Sequence, residues 1–128
     1  MTANLSAGLD PGFEYFLAER PANPQMRDSA TLWIMDNSGD LAFPRITFDA
    51  IGEDWEHPWV QLNFVDRDGR TLRLWSKEPG TLAVDGAGKP AIRGAGPLRF
   101  QCVEPFRRWT IAFSGKALQS TTDRKSVG

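Results

Sequence analysis

Six consecutive residues, Asp54-Trp55-Glu56-His57-Pro58-Trp59, hold the side-chain types that proton-transfer chemistry requires. A carboxylic acid kept neutral by burial, or a histidine, can give a proton to a substrate. A tryptophan face can stabilise a developing positive charge through its quadrupole. Glu56 and His57 are therefore the candidate catalytic pair. The competing reading is a loop of solvated acids whose tryptophans pack on the body of the fold. It is the commoner use of such a loop and the one favoured here. His57 is the only histidine, which argues against a histidine-rich metal site.

The run Glu104-Pro105-Phe106-Arg107-Arg108-Trp109 forms a second constellation. An arginine there can take a ligand carboxylate or phosphate in a bidentate grip. Alternatively Glu104, Pro105, Arg107 and Arg108 build a structural corner, with an arginine lying on Trp109 and paired to Glu104. Neighbours on a strand point to opposite faces, so Trp109 inside means Arg108 outside. The structural role is favoured. Cys102 is the only cysteine, so the chain has no internal disulfide. It reads as a small core residue on a strand rather than a nucleophile. Gly86, Gly88, Gly94 and Gly96 lack the strand-to-helix setting of a phosphate loop.

The elements that must position these groups are mostly strands. Asp10-Pro11 starts a short amphipathic helix of about two turns, with Asp10 as its cap and Phe13, Phe16 and Leu17 on one face. It is expected to plug one end of a sheet rather than to act as a lid. Alternating apolar residues then mark strands over 29–36, 40–49, 58–66, 70–76 and 81–84, with a possible short one at 91–93. Two long strands follow. Leu98, Phe100 and Cys102 share one face of the first, and Trp109, Ile111 and Phe113 share one face of the second.

The turns between them carry register information. Asn37-Ser38-Gly39 and Arg67-Asp68-Gly69 each read as three-residue hairpin loops ending in a left-handed glycine. The first loop would set Met35 opposite Leu41 and Trp33 opposite Phe43. The second sets Phe64 opposite Leu72 and Leu62 opposite Leu74. Leu41 and Phe43 are out of phase with Ile46 and Phe48, so a bulge is expected at Pro44-Arg45. Seven or eight strands with short loops and one short N-terminal helix make an antiparallel lipocalin- or calycin-like barrel, or a strongly curved sandwich.

With 128 residues, 41% hydrophobic and 24% charged, the chain is long and apolar enough for one globular core. A net charge of -1 argues against nucleic acid and anionic membranes as partners. No apolar run approaches the roughly 20 residues of a membrane span, and the start lacks the pattern of a signal peptide. A cytoplasmic location is the expectation. Residues 117–128 carry no apolar period and are expected to be a disordered or artefactual tail, because Asp123-Arg124-Lys125-Ser126-Val127 is what one frame of a common sequencing adapter encodes.

The run Gly96-Pro97-Leu98-Arg99-Phe100-Gln101-Cys102-Val103-Glu104-Pro105-Phe106-Arg107-Arg108-Trp109, followed by a strand and Gly115, resembles a corner of the tandem lipocalin-like proteins. These are the relatives of AttH, hydroxyneurosporene synthase and kievitone hydratase. The resemblance extends over about residues 13–116. It implies two tandem barrels, an apolar substrate and, in some members, cofactor-free hydration of a carbon–carbon double bond. Residues 1–116 would be one barrel half, and the second barrel would be a missing partner.

These readings converge on a domain that binds a small hydrophobic molecule such as an isoprenoid, steroid or phenolic. It would form part of a hydratase or isomerase in a two-barrel protein. Trp33, Phe43, Trp55, Trp59, Trp75 and Trp109 are the expected ligand-binding residues, and no cofactor or metal is expected. The alternatives are a non-catalytic half that supports a partner domain, or a protein-interaction module using free strand edges.

Overall fold

The computed structural model describes residues 3–121, which form nine strands in two antiparallel sheets. In the first sheet β1 (Arg27–Met35), β2 (Leu41–Ile51), β3 (Trp59–Asp66) and β4 (Arg70–Lys77) follow one another. β9 (Leu118–Thr121) joins the free edge of β4. The second sheet is β5 (Gly80–Ala83), β6 (Ile92–Ala95), β7 (Leu98–Glu104) and β8 (Arg108–Phe113) in chain order. Ile46, Phe48 and Val60 of the first sheet meet Ala95, Leu98 and Phe100 of the second in one buried cluster. Of the two expected architectures, the described residues form facing sheets and not a closed barrel.

Between β4 and β5 the chain passes from one sheet to the other. Glu78 N–H and Gly80 N–H donate to the Pro58 and Glu56 carbonyls at 3.1 and 2.8 Å, still in the register of the β3–β4 ladder, while the Pro79 carbonyl accepts from Gly96 N–H at 2.9 Å at the end of β6. The edge of β4 is then taken by β9. That strand also corrects the expectation of a disordered tail from residue 117. The adapter-like run Asp123–Val127 lies outside the described residues.

The N-terminal helix is shorter than its pattern suggests. Asp10 caps it, its carboxylate accepting from Gly12 N–H at 2.7 Å, but only a 3-10 turn over Pro11–Glu14 forms. Tyr15 is already extended. Leaving the helix early lets Phe16 drop between the sheets, where it is 6% exposed and packs on Phe48 with ring centroids 5.5 Å apart. Phe13, expected on the same face, is 76% exposed.

The hairpins divide. The β3–β4 hairpin has the expected three-residue loop, with Phe64 opposite Leu72 and Leu62 opposite Leu74. The β1–β2 loop is one residue longer. Asp36 N–H donates to the Leu41 carbonyl, and the Asp36 carboxylate accepts from Asp40 N–H at 2.9 Å. Four residues are thus enclosed rather than three, and the register moves by one. Met35 faces Ala42 and Ile34 faces Phe43, so the expected pairing of Trp33 with Phe43 does not occur. The bulge at Pro44-Arg45 is present and restores Phe43, Ile46 and Phe48 to the inner face.

Candidate functional site

Period-two alternation gives each sheet an inner and an outer face. Where the sheets diverge, near the β1–β2 and β3–β4 turns, the inner faces leave an open cavity of about 560 Å³. Ile34, Phe43, Ile46, Leu62, Phe64 and Leu72 supply one wall. Ile111 and Phe113 of β8, with Gly115 and Ala117, supply the other. The Phe43 and Phe64 rings lie 5.0 Å apart on its side. Among the described residues no titratable side chain lines it. A volume of this size and an apolar lining suit a small hydrophobic ligand. Of the six expected ligand-binding aromatics, only Phe43 lines this cavity.

Glu56 and His57 sit in the β2–β3 loop, at the opposite end of the strands. From Trp59 to Phe64 the chain runs roughly 17 Å at about 3.3 Å per residue. Both side chains are exposed. His57 Nδ1 lies 3.4 Å from Asp54 Oδ1, and Asp54 Oδ2 pairs with Lys77 Nζ at 2.5 Å. The Lys77 hydrogen bond holds the Asp54 carboxyl below its ordinary value. That loop is an exposed charge cluster, and the structure does not bring it to the cavity.

Trp55 is buried at 6% exposure and serves packing. Its ring carries the Arg93 guanidinium 4.7 Å from its centroid, and its carbonyl accepts from Arg93 Nη2 at 3.4 Å. Arg93 also donates to the Thr81 carbonyl at 3.3 Å and is itself 2% exposed. Burial lowers its pKa, while the charges of Asp28 and Glu56 raise it. Arg93 thus pins the β2–β3 loop to the second sheet. The sequence carried no signal for this, because an arginine on a short strand reads as solvent-facing.

Trp33, Trp59 and Trp75 lie on the outer face of the first sheet. They are 72%, 40% and 71% exposed. The Trp59 and Trp75 centroids are 5.6 Å apart, and Lys77 Nζ is 5.4 Å from the Trp59 ring. These three residues cannot line a space between the sheets.

The corner after β7 behaves as a structural device. Glu104 is opposite Arg108, Arg107 pairs with Glu104 at 3.4 Å, and Arg108 is exposed while Trp109 turns inward. The expected arginine over Trp109 is replaced by Phe16, edge-on at 5.4 Å. Glu14 completes the corner. Its Oε2 accepts from Trp109 Nε1 at 2.6 Å and from Phe106 N–H at 2.9 Å. Phe106 has φ 60, a left-handed conformation that a bulky residue seldom adopts. Glu14 is invisible to local pattern, since its partners are about ninety residues away. Cys102 is 1% exposed, and burial pushes its thiol up to about 11, the opposite of an activated nucleophile.

Among the described residues no group of three or more His, Cys, Asp or Glu side chains could hold a metal ion, and no helix is long and apolar enough to cross a membrane. Comparison with protein families, curated proteins and solved structures returns no match.

Proposed function

We propose that this chain is a binding domain for a small apolar molecule, an isoprenoid, steroid or phenolic, held in the cavity between the sheets. One observation carries the reading: the cavity of about 560 Å³ is walled by apolar side chains from five strands, with no titratable group among them. Burying an apolar ligand there is favourable by about 25 cal/mol for each Å² of apolar surface removed from water. The resemblance of the Gly96–Trp109 run to the tandem lipocalin-like family supports the same ligand class. Among the described residues the cavity has no proton donor of its own, and Glu56 and His57 are remote from it. Hydration or isomerisation would then need groups supplied by a second barrel.

The test is fluorescence titration with N-phenyl-1-naphthylamine, a neutral apolar probe, followed by displacement with farnesol, progesterone or a flavone. Saturable binding in the micromolar range is expected. Leu72→Trp, which fills the cavity from a half-buried position, should weaken it at least tenfold. Unchanged affinity in a folded Leu72→Trp variant removes the cavity as the site.

A further inference from the structure

We infer that the outer face of the five-stranded sheet binds an oligosaccharide. This face is separate from the apolar cavity and differs from it in chemistry. Ladder register places Thr31, Thr47, Gln61 and Trp75 in one row across β1 to β4, and Ser29, Asp49, Trp59 and Lys77 in the next. A shallow groove of about 450 Å³ runs over these rows. Trp33 extends the same face along β1. It stands three strand spacings across from Trp75, roughly 14 Å at about 4.8 Å each, and two residues along the strand from the Trp75 row.

Trp33 and Trp75, both more than two-thirds exposed, are costly to leave in water, and Trp75 stands beside Trp59 with ring centroids 5.6 Å apart. A sugar ring is built to match such a face. Its axial C–H groups form a weakly positive, apolar surface that stacks on the negative face of an indole. Its equatorial hydroxyls point sideways, toward groups such as Gln61, Ser29 and Thr31, which both donate and accept. Two exposed stacking residues separated by a polar strip suit a chain of several rings better than a single one.

Charge bears on the choice of polymer. Arg27 pairs with Asp49, and Lys77 pairs with Asp54 at 2.5 Å. Arg45, which also lines the groove, donates to Gln61 Oε1 at 3.3 Å. The second oxygen of Asp49, Oδ1, is buried and has no hydrogen-bond partner among the described residues. The chain's net charge of -1 supplies no field that would gather a phosphodiester, so the face suits a sugar chain rather than single-stranded nucleic acid.

The experiment is native gel electrophoresis of the full chain through gels containing soluble xylan, mixed-linkage β-glucan, galactomannan or pullulan, beside fluorescence titration with oligo(dT). Retardation in at least one polysaccharide is expected. Trp33→Ala and Trp75→Ala should each weaken it at least tenfold while leaving the melting temperature and N-phenyl-1-naphthylamine binding unchanged. Three results overturn the inference: no retardation in any of the four gels, retardation that survives both substitutions, or oligo(dT) binding that is lost in the same variants. The last would assign the face to nucleic acid. The naphthylamine readout separates failure here from failure of the apolar cavity.

Discussion

The Glu14 carboxylate should be the largest single polar contributor to the corner. It holds Trp109 Nε1 and the amide of left-handed Phe106 with one oxygen. A hydrogen bond to a charged acceptor contributes about 1.5–3 kcal/mol, and partial exposure of Glu14 places both at the low end. Glu14→Ala should therefore cost about 2–3 kcal/mol, a large share of a stability of about 5–15 kcal/mol. Trp109→Phe removes the Nε1 donor together with part of the indole ring while retaining an aromatic edge toward Phe16. The double variant isolates the pair. Urea denaturation followed by far-ultraviolet circular dichroism should give a coupling energy of about 1.5 kcal/mol, with Glu14→Gln falling between wild type and Glu14→Ala. Losses that add to within about 0.3–0.5 kcal/mol would show no coupling and refute the bridge.

Two further outcomes are accessible. A Cβ on Gly94 would fall within contact distance of the Leu98 carbonyl oxygen and 2.9 Å from the Arg99 Cα, so Gly94→Ala should push β6 off β7 and cost about 2–3 kcal/mol in the same assay; a neutral variant would contradict the close strand approach. The buried Cys102 thiol, raised to about 11, should resist iodoacetamide at pH 8 in the native state and react only as the protein unfolds. Because its folded pKa is raised, its stabilising effect is complete below the ordinary thiol value and is lost as pH rises toward 11; rapid native-state alkylation would contradict its burial.

Where alternation and turn chemistry agree, the strands and their inner faces can be read directly. Leu98, Phe100 and Cys102 are buried as their period requires, and Phe64 meets Leu72 because only a three-residue loop puts both on one face. The β1–β2 turn defeats the same logic. Asn37-Ser38-Gly39 fits a three-residue loop, but the Asp36 side chain draws Asp40 into the turn and encloses a fourth residue. One residue of slip sends Trp33 to the opposite face. β9 has a single apolar residue, Leu118, and forms because the edge of β4 is free, a tertiary fact with no local signature. The helix stops early because Phe16 gains more from burial between the sheets than from another helical turn.

The slip at Trp33 bears on the candidate site as a whole. Tryptophan content alone suggested a lumen lined by indoles, and composition cannot say which face of a strand a residue takes. Register can. On β3, Leu62 and Phe64 point to the cavity while Trp59 and Gln61 point to the outer groove. One strand thus serves an apolar wall and an amphipathic platform, separated by the thickness of a single sheet. A ligand on either face would restrain the same four-stranded meander, so it need not leave the other face unchanged. Binding that orders β1 to β4 from outside would lower the ordering cost for the ligand inside, giving positive coupling without a change of fold. Occupancy of the cavity by N-phenyl-1-naphthylamine should then tighten polysaccharide binding, and thermodynamic reciprocity requires the converse by the same factor.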